Sequence, residues 1–244
     1  MRVKARGWVV LVAAALLAAL TARLGVWQLD RADQKNRAQQ ALTDRRALPP
    51  LPAAALALRP ADAAGQHGRL ISLQGRWQPA LTVYLENRQM DTRVGFYAVT
   101  PLLLDDGTAV LVQRGWLPRD QADRTRIVAP PAAAGRVAVQ GRIAPGPGRI
   151  YDFAGAASGP IRQNLDIEAY ARETAQPLRP VSVVEADSPS APQDGLLRHW
   201  PAPAADLDKH YGYAFQWFAL STLTIALYAW FQIIKPTLSR RRRG

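Results

Sequence analysis

Apolar positions fall into three regimes along the chain. From Trp8 to Ala22 runs an uncharged, almost wholly apolar stretch of 15 residues, broken by Arg23 and resumed through Leu24-Gly-Val-Trp-Gln-Leu29. From Phe215 to Ile234 there are 20 residues without a formal charge. At about 1.5 Å of rise per residue, a helix of that length spans roughly 30 Å, the thickness of a bilayer's hydrocarbon. Tyr211, Tyr213 and Trp217 stand at one end of the second run and Trp230 at the other, the spacing of an interfacial aromatic belt. Between the two runs the pattern changes to short alternating segments separated by Gly, Pro and Asp.

These segments predict individual elements. Asp30 to Arg46 is polar, rich in alanine and free of Gly and Pro, and reads as a helical stalk continuing the first run until Leu48-Pro-Pro-Leu-Pro52 ends it. Strands are predicted over Leu70–Trp77, Thr82–Asn87, Gly95–Leu104, Thr108–Trp116, Arg136–Ile143 and Val181–Glu185. Asp105-Asp-Gly107 supplies the turn of the clearest hairpin. A short helix is predicted over Ile167–Thr174, and Asp187–Asp208 reads as an extended lead into the second apolar run. The expected fold class is membrane α+β: two transmembrane helices flanking an extracytoplasmic antiparallel β-rich domain, a small barrel or sheet.

Charge sets the expected orientation. All 19 acidic residues lie between Asp30 and Lys209, and nine of the 31 basic residues lie outside that stretch, namely Arg2, Lys4, Arg6, Arg23, Lys235 and Arg240 to Arg243. The net charge of +12 is therefore concentrated at the chain ends. That distribution argues for membrane orientation and contact with membrane lipid, and against a nucleic-acid partner. The expected layout is a cytoplasmic N-terminus over 1–6, transmembrane helix 1 over 7–29, the extracytoplasmic domain with its stalk over 30–209, transmembrane helix 2 over 210–234 and a basic cytoplasmic tail over 235–244. The protein would be a two-pass protein of the cell (inner) membrane with both termini cytoplasmic. A cleaved secretory signal ending near Ala22 is the alternative for the first run; its hydrophobic length favours an uncleaved anchor.

Candidate chemistry is sparse. The absence of cysteine removes disulfides, thiolate metal sites and cysteine nucleophiles, and with two methionines a soft-metal chaperone is disfavoured. There is no H-E-x-x-H, G-x-S-x-G or P-loop, so no enzyme, such as an outer-face hydrolase, is expected. Asp105-Asp106 reads as a solvated turn rather than a metal pair. His67 reads as a loop residue, and His199 as a surface or interface residue. His210 differs by position. On a helix it shares a face with Tyr213, Ala214 and Trp217, and Trp27 and Gln28 lie at the same expected depth on the first helix. Two readings follow: an imidazole that ligates a porphyrin iron between the helices, or a polar residue sitting among headgroups.

The order of several short motifs resembles the Surfeit-locus (Surf-one type) family of cytochrome c oxidase assembly proteins. The motifs are Leu24-Gly-Val-Trp-Gln-Leu-Asp-Arg31, Gly75-Arg-Trp77, Leu85-Glu-Asn-Arg88, Gly95-Phe-Tyr-Ala-Val-Thr-Pro-Leu102, Val110-Leu-Val-Gln-Arg-Gly-Trp116 and His210-Tyr-Gly-Tyr-Ala-Phe-Gln-Trp-Phe218. Gln113 stands where the family pattern leads one to expect Asn, and Glu86 where it leads one to expect Asp. The resemblance implies an assembly factor that binds haem a transiently and assists its insertion into the large subunit of a haem–copper oxidase. That subunit and the haem a synthesis machinery would be its partners. It implies His210 as candidate axial ligand, with Tyr213, Trp217, Trp27 and Gln28 as a possible pocket and Gln216 in its Gln-Trp-Phe signature. It assigns no chemistry to Arg114-Gly-Trp116. The alternative is a membrane scaffold that stabilises an oxidase assembly intermediate without binding haem.

Overall fold

The computed structural model describes residues 2–120, 122–123, 126–148, 150, 158–187, 193–200 and 207–241, with the side chains of 2–6, 207 and 239–241 left aside. The chain divides into two compact units, residues 1–40 with 202–244, and residues 41–201.

The first unit is a pair of long helices. Helix α1 runs unbroken over Arg2–Ala47, so the apolar run and the polar stalk are one helix; its last turns, from Ala41, belong to the second unit. Helix α4 covers Leu207–Ala229 and passes through a π-helical turn, Trp230–Ile234, into α5, Lys235–Arg241. Both long helices are long and apolar enough to cross a membrane, and most of their apolar surface is exposed. That exposure suits lipid as solvent and would be unfavourable in water.

The second unit is built on β-strands. In chain order its main elements are β1 (Leu51–Pro52), α2 (Pro60–Ala63), β2 (Leu70–Trp77), β3 (Val83–Met90), β4 (Arg93–Leu104), β5 (Ala109–Pro118), β6 (Arg136–Ala144), β7 (Ile161–Arg162), α3 (Ile167–Thr174) and β8 (Leu178–Glu185). The neighbours run β2-β6-β8-β5-β4, and β4 pairs again with β2, which closes a five-stranded barrel. Closure happens at Gly75, where a Cβ would lie 2.4 Å from the Leu103 carbonyl oxygen; only glycine lets the two backbones approach so closely.

One sequence expectation needs correcting. The sheet is mixed, not wholly antiparallel. β5 and β8 pair in parallel, as do the two-residue partners β1–β2 and β3–β7. The reason lies in the connections. Hairpin neighbours such as β4 and β5 must be antiparallel, whereas β8 returns to β5 only after β6 and α3 have intervened.

Strands β4 and β5 are buried on both faces, which explains why Ala109 to Leu117 reads as a nearly continuous apolar run. Val110 and Val112 point into the barrel with Leu73, Leu102, Ile143 and Val183. Leu111 faces outward into a second cluster with Leu85, Val99 and Tyr170 of α3. Helix α3 starts at Asp166, whose side chain accepts from the Ala169 N–H at 3.0 Å, and stops at Ala175 in the left-handed region with φ 51°. Tyr170 locks it down by donating to the Leu81 carbonyl at 2.5 Å.

Candidate functional site

The helix pair carries the sequence-predicted site. On α1 the less exposed positions include 11, 14, 18, 21, 25, 28 and 32; on α4 they include 210, 214, 217, 218, 221, 224 and 228. Both series recur at steps of three and four, with Trp217 and Phe218 adjacent on α4, the period of a packed antiparallel helix pair. The α1 seam is made largely of small residues, Ala14, Ala18, Thr21, Gly25 and Ala32, which bring the backbones close. Ser221 donates to the Ala18 carbonyl at 2.9 Å, and a Cβ on Gly25 would lie 2.8 Å from the Phe218 ring. Thr21 satisfies its hydroxyl on its own helix, at 2.8 Å from the Leu17 carbonyl oxygen.

At the end of this seam nearest the polar stretch of α1, His210 meets Gln28. The imidazole Nδ1 lies 2.7 Å from Gln28 Oε1. The donor and acceptor roles follow the ring's tautomer, an amide oxygen being able only to accept, and Nε2 makes no hydrogen bond among the described residues. The other predicted pocket residues are distributed differently. Trp217 is half-buried beside the seam, Gln216 is exposed, and the Tyr213 and Trp27 rings are 52% and 49% exposed on the flanks. Of the predicted set, then, only His210 and Gln28 are joined by a hydrogen bond. Sequence reasoning missed Gly25, Phe218, Ala18 and Ser221, although the small-residue heptad on α1 was the signal for them.

Farther along the same pair, Val9, Ala13, Leu17, Thr224, Tyr228 and Phe231 line an open apolar groove of about 470 Å³.

The motifs in the barrel unit have a structural role. Across β4–β5 the register passes from Ala98–Gly115 to Val99–Gln113, so Arg114 is the extra residue of a β-bulge. Across β3–β4 it passes from Leu85–Tyr97 to Arg88–Gly95, a second bulge at Glu86-Asn87, with Asn87 at φ 58°. The two bulges turn side chains toward one another. Trp116 is fully buried and donates from Nε1 to the Arg88 carbonyl at 2.9 Å. Arg88 lies over Tyr97, and Arg119 reaches Asn87 at 3.0 Å. Gly95 is required beneath Trp116, since a Cβ there would lie 2.2 Å from the Leu117 carbonyl oxygen.

Bulging aims Arg114 away from the ladder. Its guanidinium sits 4.9 Å above the Trp77 ring and donates to Asp194 at 2.9 Å. Asp194 also receives Arg198 at 2.8 Å, and Arg198 reaches Glu185 at 3.4 Å. Two guanidiniums and two carboxyl groups are thus buried together. Burial pushes the Glu185 carboxyl up, opposed by Arg198 and Arg114. The quartet fastens residues 194–198 to the barrel, assisted by reciprocal backbone bonds between Trp116 and Leu197.

The remaining sequence candidates are placed as follows. Asp106 is more than a solvated turn residue: it binds the buried Arg179 at 2.5 Å and caps Thr108 at 2.9 Å. Asp105 pairs with Arg136 at 2.6 Å. His199 binds Asp91 at 2.8 Å on the surface. His67 is half-buried, with its carbonyl taking a bond from Arg45. Among the described residues, no three His, Asp or Glu side chains gather as a metal site.

A chain of this kind joins two apolar helices of membrane-spanning length to a small closed barrel whose motifs are bulges and glycine contacts. A profile of the SURF1 family matches residues 15–222, and the chain belongs to that family. It is similar to a SURF1-like protein of Dictyostelium discoideum, with 32% identity over 99 residues, which are 38% of this chain and 37% of the relative. The matched part is thus well under half of that relative's length. The family is associated with oxidase assembly.

Proposed function

We propose that this protein is a two-pass membrane assembly factor for haem–copper oxidase. It binds haem a transiently through His210 and assists its insertion into the large oxidase subunit. In this reading both chain ends are cytoplasmic, because the basic residues cluster there, and the barrel unit lies outside. The observation that carries it is the His210–Gln28 pair at one end of a seam of small residues.

The residues fit one axial ligation. A neutral imidazole is a ligand that haem iron takes, and here one ring nitrogen is engaged while the other has no partner among the described residues. When bound, the haem supplies redox and oxygen chemistry to the oxidase that receives it. The work of this chain is to hold and release. His210 would bind through Nε2, the aromatic rings of Trp217, Trp27 and Tyr213 would offer apolar surface to a flat ring, and the seam would keep α1 and α4 in register. A carrier gains from a single protein ligand, since a second strong one would slow release.

The scaffold reading draws support from the barrel unit, where the family motifs serve the interior and not a pocket. One experiment separates the two. Full-length protein is purified in detergent from cells that make haem a, beside His210→Ala. A Soret band present in the wild type and lost in the variant is the expected result. A band that persists unchanged removes His210 as ligand, and wild type without pigment favours the scaffold.

A further inference from the structure

Which nitrogen of an imidazole can ligate iron depends on where its one proton sits, and that is set by what the other nitrogen touches. An amide oxygen only accepts hydrogen bonds, so Gln28 Oε1 at 2.7 Å from Nδ1 calls for a proton on Nδ1. The lone pair is then on Nε2. The contact depends on close helix approach one turn away, where Gly25 leaves room for Phe218. Gln28 is itself half-buried on the seam.

We propose that Gln28 is the positioning residue for His210: its amide oxygen holds the Nδ1–H tautomer and presents Nε2 to haem iron. The role rests on the haem reading above. The residue type suits a carrier. A carboxylate at this place would raise the basicity of the imidazole and tighten the bond to iron, and it would bring a charge close to the membrane boundary. A neutral amide fixes the tautomer without either effect, leaving a bond that can be surrendered.

Two measurements on full-length protein in detergent test this. The first needs no haem. Nitrogen-15 NMR of the histidine rings is expected to report His210 as the Nδ1–H tautomer in the wild type, and to shift toward Nε2–H in Gln28→Leu. A wild type already in the Nε2–H form overturns the proposal, since the amide would then be donating to Nδ1. The second adds haem. Gln28→Leu is expected to weaken haem retention about 10- to 100-fold, the usual cost of losing such a partner. Gln28→Glu should lower the midpoint potential of the bound haem and slow its loss. If His210→Ala abolishes haem binding while both Gln28 variants match the wild type in affinity and potential, the positioning role fails and the haem reading stands. A wild type that takes up no haem ends both.

Discussion

Arg114 donates to Asp194 at 2.9 Å with both side chains 3% exposed, and this bond ties the bulge of β5 to the segment after β8. Asp194 serves three donors, since Arg198 and the Leu196 N–H also bind it. Asp194→Ala would leave two buried guanidiniums with one carboxylate between them. The expected loss is about 3–5 kcal/mol, as for other buried pairs broken on one side. Asp194→Asn should cost less, because the amide oxygen still accepts. Denaturant unfolding followed by tryptophan fluorescence measures both, and an Asp194→Ala midpoint equal to wild type would remove the quartet as a support of the fold.

Gly25 decides whether α1 and α4 can close. A Cβ there meets the Phe218 ring at 2.8 Å, so Gly25→Val should force the helices apart beside Gln28 and His210. The absence of cysteine makes this directly measurable. With Ala18→Cys and Ser221→Cys introduced together, oxidation in membranes should cross-link the two helices, because Ser221 Oγ lies 2.9 Å from the Ala18 carbonyl oxygen. Adding Gly25→Val should suppress the cross-link. Equal cross-linking with and without the valine would show that the seam does not depend on glycine.

Hydropathy made the helices legible, since 20 uncharged residues admit few alternatives, and alternation located the longer strands. The short helix predicted over Ile167–Thr174 is found at those bounds, capped by Asp166 and ended at Ala175. Strand order was not readable. The parallel β5–β8 pair depends on which neighbour a strand finds after a long connection, and no local pattern encodes that. The bulges were also hidden: Glu86-Asn87 and Arg114 look like ordinary strand residues until the register on β4 is known. At the site, helical periodicity put His210 on a face with Tyr213, Ala214 and Trp217; the seam passes through Ala214, Phe218 and Ser221 and leaves Tyr213 on its flank. The contact with Gln28 crosses 182 positions; the common depth expected for His210, Trp27 and Gln28 put the two side chains at one level, but the bond between them was not readable.

Asp106 shows how a turn residue can hold a core. Arg179 is buried, and it spends its donors on Asp106, on Thr108 and on the Leu56 carbonyl. Hydrogen bonds from Thr108, foremost, and then from Arg179 lower the Asp106 carboxyl below its ordinary value. A depressed carboxyl contributes stability that is present above its unfolded pKa and is lost as pH falls through the folded one. Asp106→Asn should therefore lower the unfolding midpoint at neutral pH and flatten part of the acid dependence. Its cost should be about 1–3 kcal/mol, that of a charged hydrogen bond lost to a buried group. Identical acid profiles for variant and wild type would count against the assignment.

The two histidines of the barrel unit should titrate in opposite directions. His199 is held by the Asp91 carboxylate, whose hydrogen bond and charge raise its pKa above the ordinary 6.5. Its contribution to stability is complete below the unfolded value and disappears as pH rises through the folded one. His67 behaves inversely: burial first, and the charge of Arg45 second, lower its pKa from the same value. Folding therefore resists its protonation, and stability decreases as pH falls from the unfolded value toward the folded one. Proton NMR of the imidazole rings, assigned with His67→Gln and His199→Gln, should show the His199 midpoint above that of His67. Asp91→Asn should bring His199 back toward its ordinary value and leave His67 unmoved. A His199 midpoint indifferent to Asp91→Asn would mean that the tip of the β3–β4 hairpin is not tied to this histidine in solution.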